Sequence, residues 1–173
     1  QTTHCGHAHI LKSSHASRLD SMDIVSQHIY LDFSEFVQEN LAARTVTTVA
    51  LHQDLDSLHF DFEGLIMDSV IFNGVQLPFN VGTADIWVLD GGQVFPANDT
   101  VSFSFYYHGT PIADVSWGGF YYNSLYAYNM GVGFGADPHC FGRVWHPCID
   151  DFNDRVQYQI TTETLSGMAG YAG

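Results

Sequence analysis

Histidine and cysteine crowd the start of this chain. His4-Cys5-Gly6-His7-Ala8-His9 sets three imidazoles and a thiol within six residues, a donor set that suits zinc, copper or nickel. Structural metal sites hold their ligands on ordered turns. This run sits instead in a polar stretch with almost no large apolar side chains, so adventitious or no metal binding is expected. Nucleophilic chemistry has no home: there is no Gly-x-Ser-x-Gly elbow and no Gly-Lys-Ser/Thr phosphate loop. None of the four glutamates, Glu35, Glu39, Glu63 and Glu163, follows a histidine, so the His-Glu-x-x-His zinc motif is missing. Asp150-Asp151 offers paired carboxylates for acid–base work, with a solvated turn as the alternative. The sequence therefore assigns no catalytic residue and no metal ligand.

Composition narrows the partners. The chain has 173 residues with 19 acids, 10 histidines and five lysines and arginines, for a formal net charge of −14. Hydrophobic residues at 46% and aromatics at 14% exclude intrinsic disorder despite that charge. Nucleic acid is excluded as a partner, because phosphate binding needs clustered Lys and Arg. No apolar run approaches the roughly 20 residues of a membrane span. No charged start followed by an apolar stretch marks a signal peptide at Gln1, which leaves removal beforehand as the expectation for an exported protein. Three cysteines, Cys5, Cys140 and Cys148, are too few for a disulfide scaffold and read as free, mostly buried thiols.

These residues must be positioned by strands. Residues 1–23 read as an extended or loosely docked arm, and residues 24–173 as a single domain. Ile24 to Phe33 alternates, with His28, Tyr30 and Asp32 between Ile29, Leu31 and Phe33, the period of a half-buried strand. Further strands are expected over 45–51, 58–62, 68–72, 75–79, 84–89, 100–106, 117–122, 126–128 and 155–162. Asn73-Gly74 signals a type I′ hairpin. No segment sustains helical periodicity for three turns. The expected fold class is all-β, a mostly antiparallel sandwich or saddle-like domain with an extended N-terminal arm. Gly131-Val132-Gly133-Phe134-Gly135 reads as a flexible loop at a strand end.

Four stretches carry a resemblance when taken in order: Leu58 to Gly74, with Asp68-Ser69-Val70 leading into Asn73-Gly74; Tyr107-His108-Gly109-Thr110-Pro111; Gly118-Gly119-Phe120-Tyr121; and Arg143-Val144-Trp145-His146-Pro147-Cys148-Ile149-Asp150. Between Ile24 and Ala169 the chain resembles the N-terminal domain of the aminopeptidase-N-like (gluzincin) zinc metallopeptidases, the family that includes leukotriene A hydrolase. That resemblance implies a β domain capping one side of a peptide-binding cleft and docking on a thermolysin-like catalytic domain of the same parent polypeptide. Zinc is then a cofactor of the parent, held by ligands outside this chain, and none is expected in this fragment, which should be catalytically silent by itself. Tyr128-Asn129-Met130-Gly131 is not the family's Gly-x-Met-Glu-Asn strand.

In the family, the loop before Arg143 supplies a Gln or Glu that holds the substrate's free amine. The corresponding Met130–Phe141 contains neither, and Asp137 is its only acid. The resemblance implies Met130, Gly131, Val132, Gly133 and Phe134 as substrate-binding, cleft-lining residues, with a glycine-relieved loop packed on the core as the other reading. Arg143 is placed to pair with Asp150 or Asp151 and brace the loop. His146 stands where the family often has Phe, which makes a more polar cleft side the expectation. Trp117, Phe120, Tyr121, Tyr122, Tyr126 and Tyr128 read as core or interdomain packing, or as a face that stacks on sugars. A periplasmic or secreted location follows from the resemblance. The competing reading is a non-enzymatic secreted β-sandwich that binds a glycan, a protein or a metal ion, prompted by those aromatics, the His-rich start and the sequon-like Asn98-Asp99-Thr100.

Overall fold

Eleven strands account for the alternation. The computed structural model describes residues 18–92 and 94–172. The strands are β1 (Met22–Asp32), β2 (Leu41–Leu51), β3 (Ser57–Asp61), β4 (Ile66–Phe72), β5 (Val75–Leu77), β6 (Phe79–Val81), β7 (Asp85–Leu89), β8 (Thr100–Gly109), β9 (Gly118–Tyr122), β10 (Ala127–Gly133) and β11 (Gln157–Glu163). Six form one sheet in the order β11-β1-β2-β8-β4-β5, three form another in the order β3-β7-β6, and β10-β9 is a separate hairpin. Every pairing is antiparallel except β1 with β11, which run parallel from Ser26 opposite Gln157 to Asp32 opposite Glu163. The all-β expectation holds. Asn73 and Gly74 take φ of 49° and 78°, the two positive values that a type I′ turn requires. The expected strand over 75–79 is divided by Pro78, with β5 before it and β6 after it in a different sheet.

Side chains explain the two layers. On β8, Val101, Phe103, Phe105 and Tyr107 are buried while their neighbours face outward. They pack with Leu58 and Phe60 of β3 and Ile86 and Val88 of β7 into one core between the large and small sheets. Phe60 meets Phe105, and Phe62 meets Tyr107, edge to face with ring centres 5.2 and 5.4 Å apart, the arrangement that aromatic quadrupoles favour. A second apolar cluster, around Phe120, Phe141 and Val144, joins the hairpin to the rest. Phe33 and Trp145 pack against both this cluster and the Ile29, Leu31, Leu41 group of the large sheet.

The first strand begins at Met22, which is 2% exposed and belongs to the main core. Residues Arg18–Asp23, placed in the arm by composition, are therefore part of the packed domain. The His4–His9 run and Cys5 lie outside the described residues. Cys140 and Cys148 are free and buried.

Arg18 explains the tighter start. Its Nη2 donates to both oxygens of Asp61, at 3.0 and 2.7 Å, with both residues under 9% exposed. Asp61 Oδ2 also accepts the amide of Asp150 at 2.8 Å. The Asp61 backbone exchanges two hydrogen bonds with Cys148, at 2.7 and 3.1 Å. One carboxylate thus ties the start of the chain, the end of β3 and the 148–150 segment together. Removing it breaks a buried ion pair from one side, and such losses cost about 3–5 kcal/mol. Asp61→Ala is expected to lower the unfolding free energy by that amount in urea titration, and Asp61→Asn, which keeps an acceptor for the Asp150 amide, by less.

Candidate functional site

The hairpin builds one wall of an open cleft of about 830 Å3. Tyr122 pairs with Ala127, Tyr121 with Tyr128 and Phe120 with Asn129. Its turn is held by Asn123, whose Oδ1 accepts the amides of Leu125 and Tyr126 at 2.8 and 2.9 Å. The opposite wall comes from Leu31 and Phe33, from Ile160 and Thr162 on β11, and from the folded-back Thr164–Ala172 segment, with Trp145 between. Among the described residues, no lining side chain is a carboxylic acid, a base or a thiol. Such a surface binds through area and shape and offers amide and hydroxyl groups for orientation.

The five sequence-assigned residues separate. Met130 and Gly131 line the cleft. Val132 is half-buried and bridges Cys140 through its backbone. Gly133 is buried opposite Gly118, where an added Cβ would sit 2.9 Å from both the Asp114 carboxylate and Phe141. Phe134 is exposed and stacks on Trp117 with ring centres 5.1 Å apart. The expected flexible loop is thus corrected in its first part: Gly131–Gly133 is the second half of β10. Its glycine at 133 serves close packing, as does Gly118, whose Cβ would meet the Val132 carbonyl oxygen at 2.0 Å. The cleft residues the sequence reading did not single out are Phe36, Leu125 and the 164–172 segment. Leu125 and Tyr126 carry a usable signal, since large side chains beside a hairpin turn have little core to enter.

Asp114 organises the far end. Its Oδ1 accepts the amides of Ser116, Trp117 and Gly135 at 2.8, 3.0 and 2.8 Å. Desolvation pushes its carboxyl upward, but these amides together with that of Ala136 outweigh it and hold the pKa below the ordinary value. The braced loops present Trp117 and Phe134 to solvent beside Val115, which is 96% exposed.

Arg143 pairs as the sequence suggested, with a second partner added. Its Nη1 donates to Asp150 at 2.6 Å and its Nε to Glu63 at 2.7 Å. Burial raises the Asp150 pKa even though Gly142 and Arg143 donate to it, so the pair fixes geometry at some cost in desolvation. Zinc finds no cradle here: no three His, Cys, Asp or Glu side chains converge among the described residues. No helix among the described residues is long and apolar enough to cross a membrane.

No protein-family model matches the sequence, and no curated protein matches it. Solved structures do. The fold is similar to part of the M1 zinc metallopeptidase from Deinococcus radiodurans, with a TM-score of 0.68 at 17% identity over 82% of this chain and 32% of that one. A two-domain M1 zinc metallopeptidase bound to L-arginine gives 0.70 over the same shares at the same identity. Leukotriene A4 hydrolase from Saccharomyces cerevisiae gives 0.62 at 14% identity over 84% of this chain and 24% of that one. The chain thus spans about a third of the bacterial neighbours and a quarter of the yeast one. The likeness is one of fold, and it meets the expectation drawn from the ordered motifs.

His146 corrects the expectation of a polar cleft side. It is 3% exposed, does not line the cleft, and lies edge-on to Trp145 and Tyr158 with ring centres 4.3 and 5.8 Å away. Burial lowers its pKa to about 4, opposed only by the Pro147 carbonyl. The folded state therefore favours neutral imidazole. The resulting stability is full above the unfolded value of about 6.5 and is lost as pH falls toward 4, a swing of roughly 3 kcal/mol. Urea midpoints measured from pH 7.5 to 4 are expected to show this fall, and His146→Phe should flatten it.

Proposed function

We propose that this chain is the N-terminal β domain of an aminopeptidase-N-like zinc metallopeptidase, capping one side of the substrate cleft and docking on a thermolysin-like catalytic domain of the same polypeptide. The observation that carries the reading is the fold likeness, which covers most of this chain and only a third or less of its neighbours. The surface supports it. Leu125, Tyr126, Tyr128 and Met130 expose apolar area along one hairpin, continuous with a cleft that holds no reactive group. Apolar patches of this kind mark interaction surfaces. Zinc and the catalytic base then belong to the partner domain, and this domain contributes shape and substrate contacts through Met130 and Gly131. The likeness to metallopeptidases makes a peptide the natural substrate class. Export to the periplasm or beyond the cell belongs to the same proposal, on the strength of the family resemblance.

Assayed with added zinc and aminoacyl p-nitroanilides, the chain by itself is expected to release no nitroaniline. In the full-length parent, Leu125→Asp together with Tyr128→Asp should lower kcat/KM at least tenfold. Because both side chains are exposed, the same pair should shift the Tm of the isolated chain by no more than about 2 °C. Turnover by this chain alone, or an unimpaired double variant, contradicts the proposal.

A further inference from the structure

The outward face of the six-stranded sheet carries a row of side chains that the peptidase reading does not use. Register sets it: Thr161 lies opposite Tyr30, Tyr30 opposite Arg44, and Arg44 opposite Tyr106. Alternation along β1 turns Tyr30 and Asp32 away from Leu31, which faces the cleft side. The Arg44 guanidinium sits 5.2 Å from the Tyr30 ring centre and 5.8 Å from that of Tyr106. Its Nε has no hydrogen-bond partner among the described residues, so two aromatic faces hold it in place of a carboxylate. Tyr30 is itself fixed from behind. His28 stacks on it at 3.9 Å and hydrogen-bonds both its hydroxyl and that of Thr161, each at 2.9 Å.

Above this row is a depression of about 530 Å3, whose walls include Asp32, Glu163 and Thr161 with Tyr30, Arg44 and Tyr106. Its size suits a small ligand. Charge selects the ligand. Two carboxylates and a net charge of −14 disfavour an anion, and the Arg44 guanidinium over the Tyr30 and Tyr106 rings already takes the aromatic positions that a cation would seek. What remains is a neutral molecule rich in hydroxyls, which donates to Asp32 and Glu163, accepts from Arg44, and lays C–H surface on the Tyr106 ring, 38% exposed. We propose that the Tyr30–Arg44–Tyr106 row and its carboxylate rim form a binding site for a neutral oligosaccharide, on the sheet face opposite the apolar cleft.

Affinity electrophoresis in native gels tests this independently of any peptidase activity. The gels contain xylan, mixed-linkage β-glucan, galactomannan or laminarin, with pectate as anionic and chitosan as cationic probe. At least one neutral polysaccharide is expected to retard the chain. Tyr106→Ala and Arg44→Gln should each weaken that retardation at least tenfold, and Trp87→Ala, on the three-stranded sheet, should leave it unchanged. Glu163→Gln, at an exposed rim position where folding is not at risk, should weaken it severalfold and so decides the matter if the ladder variants misfold. Absence of retardation by all four neutral polymers, retardation by pectate or chitosan alone, or full retardation of Glu163→Gln and Tyr106→Ala would overturn the proposal.

Discussion

Everything about this molecule's two halves depends on one buried carboxylate. Asp61 ends β3, and its oxygens take up Arg18 and the amide of Asp150 while its backbone pairs with Cys148. From that fixed point the chain runs back through Trp145 to Gly142, where Asp150 accepts the Gly142 amide and Arg143 grips both Asp150 and Glu63. Trp145 stands between the large sheet and the hairpin, so the position of the hairpin relative to the sandwich is inherited from this ionic lattice. Buried ion pairs stabilise little in net terms, because desolvation offsets much of their attraction. Here they act on placement: the carboxylates set one geometry for Arg18, Arg143 and the amides of Gly142 and Asp150, and an apolar replacement would leave several.

The cleft that results is lined without charge. Acids outnumber lysines and arginines 19 to five in the sequence, yet among the described residues none lines it. The titratable groups are turned instead to structural tasks, Asp114 gathering loop amides and Arg143 spanning two elements. The result is a largely apolar surface on a fold that is also found as one portion of larger enzymes.

The strands were readable from alternation because each large sheet strand has one face in the core, as β8 shows most plainly. The Asn73-Gly74 turn was readable because its φ requirement is local. Two features were not. Arg18 and Met22 sit in a polar stretch whose partner, Asp61, is 43 positions away from Arg18, so composition placed them in an arm. Gly131 and Gly133 read as part of a flexible loop, and only the approach of Phe141 and Asp114 reveals that a glycine at 133 makes room. A sequence shows that a side chain is missing, but what fills the vacated space is a tertiary fact. The parting of Phe134 from Met130 has the same origin, since the break in pairing between Asn129 and Gly133 redirects the strand.

The parallel pairing of β1 with β11 carries a consequence for how the molecule is made. β1 finds one neighbour in β2 close by in the chain, but its other edge waits for residues that are more than a hundred positions away. Closing so long a loop is entropically slow. Until Gln157–Glu163 has been made, the sheet therefore shows an open edge along Ser26–Asp32. An exposed edge recruits other strands. β11 thus acts as a late cover, and a chain cut before Gln157 would keep that edge free to pair with another strand.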